Sequence, residues 1–107
     1  MSSARTIFNG RGASLGTVRG NTEFYRGPKA PSGKIVLLDG PLTPEIALSL
    51  STALGVAVSV GGVTSHGANI LREFGVPCLV AVEGLRTIKE GSHVVLDCSA
   101  GTLEVTN

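Results

Sequence analysis

The chain has 107 residues, and nine Lys and Arg against eight Asp and Glu give it a formal charge of +1. This length suits one small domain with its own core and falls short of the ~200 residues that a barrel-type active site needs. The balanced charge and scattered basic residues exclude nucleic acid and anionic membranes as expected partners. No long apolar run or secretory signal occurs, so we expect a cytoplasmic protein.

The side chains most suited to bind metal are two Cys and two His, namely Cys78, Cys98, His66 and His93. They show no metal-ligand spacing, so we expect no metal site and interpret both cysteines as small buried apolar residues. Glycine is unusually frequent, with 15 residues. This frequency indicates positions of positive φ or of close backbone approach.

The first part of the chain combines a polar start with one clear strand. Residues 1–11 are polar and Gly-rich, which predicts a flexible N-terminal segment ahead of a domain over 12–107. Weak alternation over 13–24 predicts a short strand with a bend, and the Pro-rich stretch 26–34 predicts a loop. The apolar run 35–38 (IVLL), followed by Asp-Gly, predicts a buried strand.

The first helix has a complete start signal. Thr43 is suited to the N-cap, Pro44 to the first helical position and Glu45 to the first turn. Apolar residues at helical spacing and a glycine stop then predict a helix that continues through Ile46, Leu50 and Leu54 to Gly55.

The rest of the chain alternates between strands and helical segments. The predicted elements are a strand over 56–60, a helix from about His66 to Phe74 stopped by Gly75, a strand over 78–82, a helical turn over 85–88, and a hairpin of 93–97 with 102–105. This order predicts an α/β fold of two or three layers.

The most informative segment is VSVGGVTSHGANILREFGVP, residues 58–77. A strand, two glycines and then Thr64, Ser65 and His66 at a helix start place the imidazole at a positive helix end. Unpaired N–H groups and the macrodipole there disfavour the imidazolium and favour an attached dianion. Backbone donors and two hydroxyls would be near a phosphoryl group, which suits a phosphohistidine. The alternative is a plain capping sequence with a chance histidine.

Arg72 lies close to two helical turns after His66, so the spacing does not aim it at the imidazole. It is either a solvated residue or partner of Glu73 or Glu45, or a contact for a docked protein or a phosphate.

Two further patterns match catalytic motifs only by their letters. Residues 12–16 (GASLG) match the G-x-S-x-G nucleophile elbow, but the strand-to-helix context is missing, so a hydrolase using Ser14 is the least supported hypothesis. Residues 27–34 (GPKAPSGK) differ from a phosphate loop in spacing and precede a strand. We interpret the first as a turn and the second as a loop.

The segment GGVTSHGANILREFGVPCLVAV resembles the phosphohistidine motif of the mobile, swivelling domain of phosphoenolpyruvate-utilising enzymes. That family includes pyruvate phosphate dikinase, phosphoenolpyruvate synthase, Enzyme I and rifampicin phosphotransferase. The resemblance extends to ASLGTVRG at 13–20, IVLLDGPLTPEIALSL at 35–50 and VVLDCSAGTLEV at 94–105. It therefore covers about residues 12–105.

The resemblance implies a compact swivelling β/β/α domain with a phosphohistidine at a helix N-terminus. His66 would be the phosphorylated nucleophile, and Thr64 would orient the imidazole or the phosphate. The phosphate cradle would be formed by Gly61, Gly62 and Ser65. Two positions depart from the family pattern: Gly67 stands where alanine is usual, and Asn69 replaces an apolar residue.

Family enzymes also contain an ATP-grasp domain or a phosphoenolpyruvate-binding barrel, for which this chain has no room. We therefore expect a carrier subunit or domain, a phosphotransferase component that does not turn over alone and binds no cofactor by itself. ATP or phosphoenolpyruvate with Mg would bind a partner of the ATP-grasp or phosphoenolpyruvate/pyruvate-binding kind. The phosphoryl donor, the final acceptor and the modified ring nitrogen stay open. The alternative is a non-phosphorylated binding or regulatory module with the same fold.

Overall fold

The computed structural model describes residues 6–62 and 65–106. In chain order the elements are β1 (Thr6–Asn9), β2 (Arg11–Ser14), β3 (Thr17–Phe24), β4 (Ile35–Leu38), α1 (Pro44–Ser49), β5 (Gly55–Val58), α2 (His66–Phe74), β6 (Cys78–Val80), β7 (His93–Asp97) and β8 (Thr102–Val105). A 3-10 turn, Leu85–Thr87, lies between β6 and β7. Within the described ranges, every helix is too short or too polar to cross a membrane.

The strands form one eight-stranded sheet in the order β1-β8-β7-β3-β4-β5-β6-β2. Strands β3 to β6 are parallel neighbours, whereas the pairs on the β1 side and the β6–β2 pair are antiparallel. The first half of β3 pairs with β7 and its last residues pair with β4. Since β1 and β2 end the strand order but are separated only by Gly10, the sheet must fold over on itself.

Two apolar clusters divide the molecule into three layers. Alternate residues of β4 point to opposite faces of the sheet, so Val36 joins one cluster and Ile35 the other. The first cluster packs the parallel strands against α1 and α2. The second packs the same strands against β7 and β8. The domain is therefore a β/β/α sandwich of the predicted α/β class, with both helices in one outer layer.

Several predicted elements are confirmed at the residues expected. Strand β4, helix α2 and the β7–β8 hairpin have the predicted bounds. Helix α2 ends at Gly75, which has a left-handed φ of 72°. The loop over 26–34 also joins β3 to β4 as predicted.

The N-terminal segment differs from the prediction. Residues 6–9 form β1 on β8, and Arg11 begins β2 on β6, so this part of the segment predicted to be flexible is ordered. The predicted bent strand over 13–24 is two strands separated at Leu15 and Gly16. Both strands are four residues long and their burial does not alternate, since β1 is mostly exposed and β2 buries the consecutive residues Ala13 and Ser14, so a period-two pattern is missing from the sequence.

The predicted end of the first helix was wrong. Helix α1 ends at Ser49, and Gly55 opens β5 instead of stopping the helix. The Leu54 N–H donates to the Lys34 carbonyl (2.9 Å), and the Leu54 side chain packs in the second cluster. A Cβ on Gly55 would lie 2.8 Å from Leu96 Cδ2, so the absence of a side chain at this position allows Leu96 of β7 to pack against β5. Strands β5 and β6 also end at Val58 and Val80, earlier than predicted.

Candidate functional site

The connection from β5 to α2 forms one side of the site. After β5 the chain passes through Gly61 and Gly62 before α2 begins. Gly61 has a φ of +120°, which side-chain-bearing residues rarely adopt, and a Cβ on either glycine would meet no atom of residues 6–62 and 65–106 within 4 Å. As far as these residues are concerned, the backbone here is open to a second molecule. Thr64 lies outside the described residues, so its predicted role stays a prediction.

Ser65 caps α2 and thereby places His66. Its Oγ accepts a hydrogen bond from the Ala68 N–H at 3.2 Å, and its carbonyl accepts one from the Asn69 N–H at 3.0 Å. His66 is the first residue of α2, and its side chain is exposed. The imidazole therefore lies both at the positive end of the helix dipole and in contact with solvent.

A shallow groove of about 260 Å³ borders the imidazole. Its lining combines the first residue of α1 with the outer face of α2: Pro44, His66, Asn69, Ile70 and Glu73. Among these five lining residues there is a carboxylate but no Lys or Arg. The groove can admit part of another molecule, and a phosphoryl group there would need a cation from outside the groove lining.

Arg72 connects α2 to β2. Its Nε donates to the Ala13 carbonyl at 2.9 Å, its Nη2 donates to the same oxygen, and its Nη1 donates to Asn69 Oδ1 at 2.5 Å. The register of β2 on β6 shifts between Gly12 and Ser14, so Ala13 has no ladder partner on β6. The guanidinium therefore bonds a carbonyl at this irregularity, and a partner-contact role for Arg72 stays a prediction.

The structure explains both departures from the family pattern. A Cβ on Gly67 would lie 2.5 Å from the Leu42 carbonyl oxygen and 2.6 Å from its Cγ. The segment before α1 therefore approaches α2 too closely for alanine at this position. Asn69 is exposed and accepts the hydrogen bond from Arg72. The role of Leu42 was not predicted from the sequence, where a glycine in the first turn of a helix is the signal that another segment packs closely there.

A polar cluster that was not predicted from the sequence lies at the carboxyl ends of β4 and β5. Ser59 Oγ donates to Asp39 Oδ1 at 2.9 Å, and Arg86 Nε lies 3.1 Å from Asp39 Oδ2. Polar residues directly after buried strands are the signal for such a cluster. Because Arg86 is 80% exposed, the ion pair is screened by water and adds little stability.

Neither of the rejected motifs has the geometry that its chemistry needs. Ser14 is buried in β2, paired with Cys78, and the chain then leads into β3 instead of a helix. Residues 27–34 lead into β4. Both findings agree with the interpretation as ordinary chain segments.

Cys78 and Cys98 are free and buried, as expected. Burial raises the pKa of the Cys78 thiol to about 12, with a further contribution from Cys98. Burial, followed by the charge of Asp97, raises the pKa of Cys98 to about 12 as well. Both are therefore unreactive thiols at neutral pH. Over residues 6–62 and 65–106, no three His, Cys, Asp or Glu side chains cluster as a metal site would require.

Comparisons with known proteins agree with this fold. The chain is 32% identical over 104 residues to a probable phosphoenolpyruvate synthase from Methanothermobacter thermautotrophicus, which covers 92% of this chain. It spans only 15% of the length of that relative.

Two solved structures are similar in fold. The solution structure of an Enzyme I protein (nEIt) has a TM-score of 0.60 and 29% identity, over 72% of this chain and 32% of that one. Aconitase X from Thermococcus kodakaraensis has a TM-score of 0.71 over 95% of this chain and 99% of that chain. Its 16% identity limits that likeness to the fold.

The family profile described as PEP-utilising enzyme, mobile domain, matches residues 30–101. This range includes Gly61, Gly62, Ser65 and the whole of α2, which begins at His66. The chain therefore belongs to the family of mobile domains of phosphoenolpyruvate-utilising enzymes.

Proposed function

We propose that this domain is a phosphoryl carrier in which His66 accepts a phosphoryl group from one partner site and passes it to a second. The observation that supports this most directly is the position of His66, an exposed imidazole on the first residue of the nine-residue helix α2. Membership in the mobile-domain family, with homologues named as phosphotransferases, supports phosphoryl transfer as the activity class.

The proposed transfer is a nucleophilic displacement at phosphorus. The lone pair of a neutral ring nitrogen forms the P–N bond while the bond from phosphorus to the donor oxygen breaks, and the leaving group keeps that electron pair. At the second site an acceptor oxygen attacks the phosphorus, and the P–N electron pair returns to the imidazole. The helix N-terminus assists by stabilising negative charge on the phosphoryl oxygens.

Neighbouring groups would hold the phosphoryl group. The Ser65 hydroxyl oxygen accepts the Ala68 N–H, which leaves the hydroxyl hydrogen available for a phosphoryl oxygen. The open backbone at Gly61 and Gly62 allows phosphoryl oxygens to approach closely. We assign Thr64 the role of orienting the imidazole or the phosphate.

The donor and its Mg would be bound by a partner domain or subunit. The chain spans 15% of a phosphoenolpyruvate synthase relative, and the groove lining at His66 contains no cation. We propose an ATP-grasp nucleotide-binding partner, a phosphoenolpyruvate/pyruvate-binding partner, or both. This chain would then supply the nucleophile and its mobility, because alignment contributes most to phosphoryl transfer.

The test is phosphorylation of His66 with and without a partner. The chain is incubated with phosphoramidate, a small donor with a P–N bond, and separately with radiolabelled ATP or phosphoenolpyruvate plus candidate partner domains. We expect acid-labile, base-stable label on His66, located by mass spectrometry. His66→Ala should lose the label, whereas His93→Ala, which removes the remaining histidine in β7, should keep it.

Two outcomes contradict the proposal. Label that persists in His66→Ala would assign the phosphoryl group to another residue. An absence of label with every donor, together with partner binding that His66→Ala leaves unchanged, would favour the binding or regulatory module instead.

A further inference from the structure

The polar cluster of Asp39, Ser59 and Arg86 lies at the edge of the sheet from which the chain leads to His66. Strands β4, β5 and β6 are parallel neighbours, so their carboxyl ends share one edge. Asp39 directly follows β4, Ser59 directly follows β5, and Arg86 lies in the 3-10 turn after β6. Asp39 joins the other two, because one of its oxygens accepts the Ser59 hydroxyl and the other faces Arg86 Nε.

The polar cluster is close to the glycines that we assign to the phosphoryl group. Ser59 and Gly61 are two positions apart, and two residues of extended chain span at most about 7 Å. A cleft of about 500 Å³ is lined by Val60, which lies between these two residues, and by Asp39, Ser59 and Arg86. The guanidinium therefore borders a cleft beside the start of the connection from β5 to α2.

The contact between Arg86 and Asp39 can be exchanged at little cost. The Arg86 side chain is 80% exposed and that of Asp39 is 40% exposed, so water screens the ion pair. When the guanidinium leaves, Asp39 keeps the hydrogen bond from Ser59, and its exposed carboxylate is hydrated. A phosphoryl group presents more negative charge than a carboxylate and accepts two parallel hydrogen bonds from a guanidinium, so it is the stronger partner for Arg86.

We propose that Arg86 exchanges Asp39 for the phosphoryl group on His66 and so stabilises the phosphorylated state from within this chain. This inference rests on the proposed carrier function. The five residues that line the groove at His66 include Glu73 but no Lys or Arg, so charge neutralisation needs a cation from elsewhere. Asp39 then holds the same guanidinium in place while the imidazole is unmodified.

The alternative is that the ion pair only links the loops after β4 and β6. The two roles differ in what happens when His66 is phosphorylated. A purely structural ion pair stays in place, whereas the exchange moves the Arg86 guanidinium from a carboxylate to a phosphoryl group. The environment of Arg86 Nε in the two states therefore distinguishes them.

The experiment phosphorylates the ¹⁵N-labelled chain with phosphoramidate and follows the Arg Nε–H signals by NMR. We expect the Arg86 signal to shift on phosphorylation. The Arg19 signal should stay unchanged, because this exposed residue lies in the half of β3 that pairs with β7. Arg86→Gln should slow phosphorylation of His66 about tenfold, less than the loss of a buried donor costs, because solvent screens this side chain. Arg19→Gln is the matched control and should react like the wild type.

Two results would overturn the inference and leave the carrier function intact: an Arg86 signal that phosphorylation of His66 does not shift, or an Arg86→Gln variant that reacts at the wild-type rate. The first result needs no variant, and the amide spectrum of Arg86→Gln reports its folding. Failure of the carrier function has a separate readout. A wild-type His66 that neither phosphoramidate nor a partner with its donor can phosphorylate would reject the function, and the inference with it.

Discussion

The close packing of α2 against the segment that contains Leu42 depends on the absence of a Cβ at Gly67. A Cβ there would lie 2.5 Å from the Leu42 carbonyl oxygen, a distance that requires backbone movement. Alanine has the higher helix propensity by at most ~1 kcal/mol, and overpacking typically costs ~1–3 kcal/mol. The steric effect should therefore exceed the gain in propensity.

We predict that Gly67→Ala lowers the free energy of unfolding by about 1–2 kcal/mol, because the segment containing Leu42 must move away from α2. Urea unfolding followed by circular dichroism measures the change. Gly62→Ala is the matched control, since a Cβ at that position meets no atom within 4 Å in the part of the chain that the structure describes. A Gly67→Ala variant as stable as the wild type would show that the approach of Leu42 is not tight.

At the scale of elements, both helices are held by hydroxyl caps. Thr43 Oγ1 accepts the Ile46 N–H at 3.2 Å, and Ser65 Oγ accepts the Ala68 N–H at 3.2 Å. Each cap satisfies a backbone donor that the helix itself cannot. The cap of α2 also determines where its first turn, which carries His66, begins.

We predict that Ser65→Ala lowers the free energy of unfolding by ~1 kcal/mol and accelerates hydrogen exchange at the Ala68 amide, which loses its acceptor. Denaturant titration and exchange monitored by NMR provide the two measurements. Thr43→Ala should cost a similar free energy and leave exchange at Ala68 unchanged. Equal exchange in Ser65→Ala and wild type would argue against the capping bond.

At the scale of the whole molecule, Glu90 links the loop before β7 to the end of β3 and to the loop that follows β3. Its carboxylate pairs with Arg26 at 2.6 and 2.8 Å and accepts the Phe24 N–H at 2.9 Å. The hydrogen bond from Arg26, then that from Phe24, lowers the pKa of Glu90 to about 2 from an ordinary 4.5. Because Arg26 is 65% exposed, salt screens the pair.

The sign of the pH dependence follows from the lowered pKa of Glu90. Its stabilising effect is present above the unfolded-state pKa near 4.5 and is lost as pH falls towards about 2. We predict that Glu90→Gln melts at a lower temperature than the wild type at neutral pH and that the two melting temperatures converge over this acid range. Calorimetry at several pH values measures the difference. A gap that persists near pH 2 would contradict the assignment, and Glu83→Gln should show no gap.

The candidate site was predictable where its signals are local. The glycine pair, the Ser65 cap and the Gly75 stop predict both ends of α2 and the position of His66 from neighbouring residues alone. The contacts of Arg72 and Gly67 were not predictable, since Ala13 and Leu42 lie far from them in the chain. The predicted end of α1 failed for the same reason, because Leu54 packs in the second cluster instead of continuing the helix.

The sequence by itself determined the alternation of strands and helices, the bounds of β4, α2 and the β7–β8 hairpin, and the placement of His66 at a helix start. These follow from periodicity and capping, which act over a few residues. Only the tertiary structure decided that β1 and β2 join the sheet, that α1 ends at Ser49, and that Pro44 and α2 form one groove beside His66. Each of these depends on pairing and packing between segments distant in the chain, for which a single sequence carries no local signal.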